Sequence, residues 1–323
     1  MPLSRAFSLL SKRVQEVAEE SGLRLATPPQ EEAIPFVIKG EHVLIIAPTG
    51  TGKTEAAILP LFSRLSQRRR KGISILYITP LRALNRDMLR RLLSWSRRLG
   101  FRVEVRHGDT AQSERRRQSV KPPDILITTP ETLQAVLAGR RMRVHLKNVR
   151  HVVVDELHQL AQDRRGVQLS VGLERLEKLV GREFQRIGLS ATIGSPDEAA
   201  RLLAGERRVR IIRTREAKSV RYFVELPYPG EEDYTLAQGL FTSPEAAARI
   251  NRICELIDNY HSTLIFVNSR TNAEMLGSRL SMIRKDVAVH HGSLPREERR
   301  RLRWTSRLGC SRPWYAPQHS SLA

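Results

Sequence analysis

Cysteine is almost absent from this 323-residue sequence, which contains only Cys254 and Cys310. The two residues are far apart, and neither has a Cys-x-x-Cys neighbour or a histidine at the spacing of a metal ligand. Disulfide scaffolds and zinc modules need more cysteines at short, regular spacings. The sequence therefore indicates neither a disulfide framework nor a zinc site.

Long apolar runs are missing as well. No segment approaches the roughly 20 apolar residues that cross a bilayer. The N-terminal stretch carries Lys12, Glu16, Glu19 and Glu20, whereas a signal peptide would have an apolar core there. We expect a cytoplasmic protein with no membrane partner.

Acidic residues are in deficit, since 34 Asp and Glu stand against 55 Lys and Arg, for a net charge of +21. Such an imbalance favours a polyanionic partner, and nucleic acid is the one we expect. Abundant arginine can also reflect genome composition or life at high temperature. That alternative explains the use of arginine but not the net imbalance.

The length fits roughly two domains of about 150 residues each. Short β-rich runs alternate with helical stretches, which is typical of a buried parallel sheet in an α/β fold. The runs are residues 42–47, 73–79, 103–106, 124–129, 152–154 and 187–192.

Changes in pattern along the chain predict its division into parts. A lead-in amphipathic helix occupies residues 1–24, with Phe7, Leu10, Val14 and Val17 on one face. The predicted remaining parts are a first domain at 25–215, a linker at 216–240, a partial second domain at 241–303 and an aberrant tail at 304–323. A β-rich stretch from about 209 to 229, which includes 222–226, indicates the bridge between the domains, and strands are predicted in the second domain at 263–268 and 287–290.

A phosphate-binding loop is indicated by residues 47–54, which read Ala-Pro-Thr-Gly-Thr-Gly-Lys-Thr between a predicted strand and a predicted helix. The glycines let backbone N–H groups turn toward phosphates, and the helix start adds its positive dipole end. Lys53 would reach the β and γ phosphates of ATP, and Thr54 would ligate Mg²⁺. The predicted ATP-binding residues of the loop are Thr49, Gly50, Thr51, Gly52, Lys53 and Thr54.

An acidic pair follows the valine run at residues 152–154. Asp155 would hold Mg²⁺ through water, and Glu156 would orient or deprotonate the attacking water. Many strands end in charged turns, so the pair is a weak signal alone and a strong one downstream of the loop. Lys53, Asp155 and Glu156 are the predicted catalytic residues.

The two motifs, in this order, resemble those of superfamily 2 DExH-box helicases. In that family the loop begins with alanine, as it does here at Ala47, where the general pattern has glycine. Residues 155–158 are similar to the DExH box, and residues 190–192 are similar to the motif that couples ATP hydrolysis to movement. The resemblance implies a coupling role for His158, Ser190, Ala191 and Thr192.

Residues 79–85 and 128–131 match the family motifs that contact the nucleic-acid strand. The implied contacts are Pro80, Arg82, Thr128, Thr129 and Pro130. Threonine and backbone N–H groups at helix starts suit phosphates, although each segment alone would pass for a strand-to-helix turn.

Gln30 lies upstream of the loop, at the position where the family has a glutamine that hydrogen-bonds the adenine base of ATP. A carboxamide can bond both the donor and the acceptor of the adenine edge. The alternative is an ordinary solvated glutamine.

The combined motifs are most similar to the large helicase-related (Lhr) proteins of archaea and bacteria, over residues 25 to 302. This resemblance implies a RecA-like P-loop domain followed by an incomplete second RecA-like domain. It also implies ATP and Mg²⁺ as cofactors, a role in DNA repair, and a nucleic-acid partner, with single-stranded DNA favoured over RNA or a hybrid.

The family's last motif, which supplies an arginine to the γ-phosphate, is missing after Arg303, so we expect a C-terminally truncated chain. Such an arginine contributes about 10³ to 10⁵ in rate. Two functions therefore stay open: an ATP-dependent helicase or translocase, and a non-catalytic fragment that binds ATP and nucleic acid. A protein partner could complete the motor. A transporter-type ATPase would need a signature loop and glycine at position 47, and the sequence has neither.

Overall fold

The chain divides into two compact units, residues 1–219 and 220–323. The structure, a computed structural model, describes residues 4–67, 72–80, 86–161, 164–214, 221–260 and 263–289. The predicted boundaries of the linker, the partial second domain and the tail stay predictions.

The first unit is built on a sheet of seven strands in the order β3-β4-β2-β5-β6-β1-β7, and all neighbouring strands are parallel. The strands are β1 His42–Ile46, β2 Ile75–Ile78, β3 Val103–Arg106, β4 Ile125–Thr128, β5 His151–Val154, β6 Gln185–Ser190 and β7 Val209–Arg213. The α/β fold with a buried parallel sheet is therefore confirmed.

Helices cover both faces of this sheet. They are α1 Arg5–Ser8, α2 Lys12–Glu20, α3 Pro28–Lys39, α4 Lys53–Gln67, α5 Arg86–Leu99, α6 Gln112–Val120, α7 Pro130–Ala138, α8 Arg143–Leu146, α9 Leu157–Ala161, α10 Arg164–Val180 and α11 Pro196–Ala204. Because side chains alternate along a strand, Val43 and Ile45 of β1 enter one core, while Leu44 and Ile46 enter the other. The central strands are thus apolar on both sides.

The lead-in segment forms two helices, so the single helix predicted before residue 24 is wrong. α1 and α2 are separated at Ser11, whose extended backbone (φ −62°, ψ 147°) starts the second helix. The backbone N–H of Ser11 donates to Oγ of Ser63 at 3.0 Å. The predicted apolar face is nevertheless correct, since Phe7, Leu10, Val14 and Val17 are all buried.

The second unit contains α12 Glu231–Gly239, α13 Pro244–Asn259 and α14 Arg270–Ile283 among its described residues. Leu240, Ile250 and Leu280 form its small apolar cluster. The predicted strand at 263–268 is wrong, because residues 263–267 lie outside any ladder, and Phe266 is 89% exposed. Residues 287–289 form no strand either, and position 290 of that prediction lies outside the described residues.

The β-rich stretch predicted at 222–226 is likewise an exposed segment without a ladder. A strand needs a neighbouring strand to take up its backbone hydrogen bonds. None is present in the described part of the second unit, residues 221–260 and 263–289.

No helix in the described part of the chain is long and apolar enough to span a bilayer.

Candidate active site and nucleic-acid interface

The phosphate-binding loop leaves the carboxyl end of β1 and enters α4 directly at Lys53. Gly50 and Gly52 have φ of +80° and +88°, a region that side chains other than glycine adopt at a cost. Thr51 is 4% exposed, and its hydroxyl donates to the carbonyl of Pro48 at 2.8 Å. The loop is thus a tight turn that ends on a helix N-terminus, as anion binding requires.

Lys53 is held against its own loop. Its Nζ donates to the carbonyl oxygens of Ala47 at 2.6 Å and Pro48 at 2.8 Å. Burial lowers the pKa of Lys53, and the negative charges of Glu156 and Asp155 act in the opposite direction. The ammonium group therefore lies in the electrostatic reach of both predicted catalytic carboxylates.

Asp155 lies at the carboxyl end of β5 and is 9% exposed. Its Oδ2 accepts a 2.5 Å hydrogen bond from the hydroxyl of Tyr77, and the Thr54 side chain lies near the same hydroxyl. Burial raises the pKa of Asp155, while the Tyr77 bond acts to lower it. One phenol thus brings together Thr54 and Asp155, the two predicted Mg²⁺ ligands. Hydroxyl and carboxylate oxygens are the donors that Mg²⁺ prefers, so these residues fit the metal.

Glu156 has φ of 52°, a left-handed conformation that is uncommon for a non-glycine residue. Its backbone N–H donates to Oδ1 of Asp155 at 2.9 Å, and its Oε2 lies 3.3 Å from Nε2 of His158. Nε2 of Gln159 donates to the same Oε2 at 3.3 Å. The Glu156 carboxylate therefore faces α9.

His158 links this carboxylate to the end of β6. Its Nδ1 accepts the backbone N–H of Ala191 at 3.2 Å and lies 3.5 Å from Oγ of Ser190. Because Nδ1 is an acceptor, the neutral ring carries its proton on Nε2, the nitrogen that lies 3.3 Å from the Glu156 carboxylate. Thr192, the third residue of the predicted coupling motif, is exposed.

Gln30 lies beside the loop with its carboxamide engaged by main chain. Its Oε1 accepts the backbone N–H of Thr27 at 3.0 Å, and its Nε2 donates to the carbonyl of Gly52 at 3.2 Å. Gln30 is 1% exposed, so the solvated alternative is wrong. Each amide atom keeps one further bonding position, and adenine recognition stays a prediction.

The predicted strand contacts lie at the same edge of the sheet. Thr128 and Thr129 are 2% and 6% exposed, and the Thr128 hydroxyl donates to the carbonyl of Arg106 at 2.9 Å. Thr129 caps α7, accepting the backbone N–H of Thr132 at 3.3 Å, and Pro130 is the first residue of that helix. Pro80 is buried after β2, and Arg82 lies outside the described residues.

The sequence matches the family profile described as DEAD/DEAH box helicase over residues 27–200, more than half of the chain. The chain belongs to the DEAD/DEAH box helicase family.

Several relatives of this helicase-family chain carry the name Lhr. It is 38% identical to the ATP-dependent helicase Lhr-Core protein 2 of Thermococcus barophilus, over 84% of this chain and 34% of that relative. It is 39% identical to the Lhr helicase/probable uracil glycosylase of Mycolicibacterium smegmatis, over 80% of this chain and 18% of that protein. The chain thus spans about a third or less of the length of these relatives.

Solved helicase structures share the fold. The Mycobacterium smegmatis helicase Lhr bound to ssDNA and AMP-PNP matches with a TM-score of 0.75 and 34% identity, over 95% of this chain and 41% of that one. The DEAD-box helicase Mss116 bound to ssRNA and UDP-BeF matches at 17% identity and a TM-score of 0.68, a likeness of fold alone. The RecA-like architecture implied by the resemblance is confirmed by these matches.

Two side chains at the helicase site were missed from the sequence. In the sequence, Tyr77 looked like one more apolar residue of β2. The signal that could have identified it is that a buried tyrosine hydroxyl usually has a hydrogen-bond partner. Glu55, on the first turn of α4, is 3% exposed and forms an ion pair with Arg91 of α5. No sequence pattern indicated that pair.

Proposed function

We propose that this chain binds and hydrolyses ATP with Mg²⁺ and couples hydrolysis to movement along a nucleic-acid strand, with single-stranded DNA as the preferred substrate. The observation that carries the proposal is the connection between the two halves of the site. Tyr77 joins Thr54 of the loop to Asp155, and His158 joins Glu156 to Ala191. A path of neighbouring polar groups thus runs from the phosphate loop to the motif after β6.

Each group has a chemical role in the proposed reaction. The N–H groups at the start of α4 and the Lys53 ammonium bind the β and γ phosphates, and Thr54 and Asp155 hold the metal. Mg²⁺, when bound, neutralises charge that develops on the phosphate oxygens. Glu156 orients the attacking water and accepts its proton. His158 contacts both Ala191 and the Glu156 carboxylate. A shift of Ala191 would therefore move His158 and change the orientation of Glu156, the proposed general base.

Strand binding is supported by the position of Thr128–Pro130 and by the net charge. At the start of α7 the backbone N–H of Glu131 is available to a phosphate, since Pro130 has no N–H and that of Thr132 binds Oγ1 of Thr129. The threonine hydroxyls are engaged inside the fold. The chain's charge of +21 supplies the sequence-independent attraction. DNA is preferred in this proposal because the similar Lhr structure holds ssDNA.

Steady-state ATP hydrolysis tests the function. The purified chain is assayed alone, with oligo-dT and with oligo-U, beside Lys53→Ala, which removes the phosphate-binding ammonium. We expect turnover that rises with oligo-dT more than with oligo-U and that is lost in Lys53→Ala. Equal turnover in Lys53→Ala would assign the activity to a contaminant. Nucleotide binding without turnover at any strand concentration would reject hydrolysis by this chain and support binding alone.

A further inference from the structure

A basic cavity of about 930 Å³ lies between α6 and α7 in the first unit. Its arginines come from three places: the end of β3, helix α6, and the turn after α7. They are Arg106, Arg115, Arg116, Arg140 and Arg141. Ligand sites of proteins commonly have volumes of roughly 300 to 1,000 Å³. The cavity therefore has room for a ligand of substantial size.

The positive charge of the arginines is not balanced by acidic residues that line the cavity. Glu131 is the one acidic residue among the described lining residues, and its Oε1 already lies 3.1 Å from Nε of Arg165. Arg116, Arg140 and Arg141 are exposed. Five guanidinium groups around one cavity repel each other, so an anion inside it would be stabilised.

Arg106 and Arg115 form the inner part of the cavity. Arg106 donates to the carbonyl of Arg115 at 3.2 Å, and Arg115 donates to the carbonyl of His107 at 3.2 Å. The Nε of Arg115 is buried without a hydrogen-bond partner among the described atoms. Burial and the charge of Arg115 lower the pKa of Arg106. Both groups are thus fixed in place by the fold.

The cavity continues directly from the predicted strand contact. Arg106 pairs with Thr128 across β3 and β4, and its carbonyl accepts the Thr128 hydroxyl. Glu131 and Thr132, at the start of α7, line the cavity. The cavity and the predicted strand contact therefore share the start of α7.

We propose that this cavity binds phosphodiester groups of the nucleic-acid strand next to the Thr128–Pro130 contact. The inference rests on the strand binding in the proposed function and extends it to a second, separate set of charges. Arginine suits the role because its planar fork bonds two phosphate oxygens at once. Ala135, Val136 and Met142 supply an apolar wall, which suits the sugar carbons or a base beside those phosphates.

A triple variant tests this assignment, Arg116→Gln with Arg140→Gln and Arg141→Gln. These arginines are exposed, so the fold should tolerate their loss. The matched control removes three exposed arginines elsewhere: Arg5→Gln, Arg13→Gln and Arg201→Gln. Both variants lose the same charge. A third variant carries lysine at 116, 140 and 141, and thermal unfolding followed by circular dichroism checks that each protein folds.

The affinity for fluorescein-labelled oligo-dT is measured by anisotropy over a range of salt concentrations. Each phosphate contact on a single strand contributes about 0.7 to the slope of log K against log salt. The cavity variant should lose about 2 from that slope, whereas the control triple and the lysine triple should keep nearly the wild-type value. A cavity variant with the wild-type slope would overturn the proposal, and so would a control triple that loses as much.

A length series separates contact from long-range attraction. With oligo-dT of about 4 to 16 nucleotides, the cavity variant should match the wild type on the shortest strands and fall behind only above a threshold length. An equal deficit at every length would mean that the arginines act through their general field, and the contact would be rejected. If the cavity variant lost binding to fluorescent ADP but kept the wild-type salt slope, the cavity would be a mononucleotide site. That result would also reject the phosphodiester contact.

The outcomes separate this inference from the function on which it rests. A wild-type chain that binds no oligo-dT would reject both the proposed function and the cavity assignment. A chain that binds oligo-dT without ATP turnover would remove the motor function and leave the cavity assignment to be decided by the slopes. A functioning wild type with an unaltered cavity variant would remove the cavity assignment alone.

Discussion

The Tyr77 hydroxyl donates a 2.5 Å hydrogen bond to Oδ2 of Asp155 across the neighbouring strands β2 and β5. The Thr54 side chain lies near the same hydroxyl, so Tyr77 is close to both predicted Mg²⁺ ligands. Burial and the charge of Asp155 raise the pKa of Tyr77 well above its ordinary value, which keeps the phenol a proton donor. Tyr77 therefore holds the Asp155 carboxylate in one orientation, together with the backbone N–H of Glu156 on Oδ1.

Replacing Tyr77 by phenylalanine should weaken the use of Mg²⁺ while leaving the ring packed in the core. Groups that orient a metal ligand are commonly worth about 10- to 100-fold in metal affinity or activity. We expect the Mg²⁺ concentration for half-maximal ATP turnover to rise by about that factor in Tyr77→Phe. The measurement is a Mg²⁺ titration at saturating ATP.

Tyr234→Phe is the matched control, since Tyr234 is 57% exposed in the second unit. It should titrate like the wild type. An unchanged Mg²⁺ dependence in Tyr77→Phe would show that Asp155 needs no such support.

Two isosteric changes separate the contacts of His158. Asparagine places an acceptor near the position of Nδ1 and can keep the Ala191 bond, whereas glutamine places a donor near Nε2 and can keep the Glu156 contact. We expect His158→Gln to retain basal ATP turnover but lose stimulation by oligo-dT. His158→Asn should lose basal turnover by about tenfold, because Glu156 is no longer oriented.

Basal and strand-stimulated rates of both variants are measured in parallel. Equal losses of basal and stimulated turnover in the two variants would mean that His158 only supports the local structure. It would then not connect Glu156 to Ala191.

The sequence was informative wherever chemistry depends on local order. The loop with Lys53, the acidic pair after β5 and the strand–helix alternation could be predicted because each is a short, contiguous pattern tied to one backbone shape. The Tyr77 contact could not, since it joins residues 78 positions apart through strand order. The strand predicted at 263–268 was wrong because apolar content alone does not supply a neighbouring strand.

Alanine at Gly52 should cost more stability than alanine at Gly50, although both glycines have positive φ. A Cβ on Gly52 would lie 2.2 Å from Nε2 of Gln30, whereas a Cβ on Gly50 would meet nothing within 4 Å. The left-handed backbone alone costs about 1–2 kcal/mol for alanine. We expect Gly50→Ala to lose about that much unfolding free energy in urea, and Gly52→Ala to lose clearly more.

A double-mutant cycle with Gln30→Ala identifies the cause. If the clash is responsible, Gly52→Ala with Gln30→Ala should be more stable than the sum of the single changes predicts, by about 1 kcal/mol or more. Additive losses would assign the whole effect to the backbone.

Acid should destabilise the chain through His151, which is 7% exposed at the start of β5. Burial lowers its pKa from 6.5 to about 4, assisted by the charges of Arg64 and Arg150 and opposed by the bond of its Nδ1 to Gln185. Between pH 6.5 and 4, His151 therefore binds a proton in the unfolded chain but stays neutral in the folded chain. Stability from this group is complete above pH 6.5 and falls as the pH drops through that window, by about 2 kcal/mol between pH 7 and 5.

Urea unfolding at pH 7 and pH 5 measures this loss in the wild type and in His151→Asn, which keeps a polar group near the position of Nδ1 but cannot titrate. The variant should be less stable at pH 7, because its amide fits the site less well, yet its stability should change less between the two pH values. The difference between the two pH dependences isolates His151 from the carboxylates, which titrate in both proteins. Parallel pH profiles would mean that the buried imidazole gains its proton without cost, for instance by turning toward solvent.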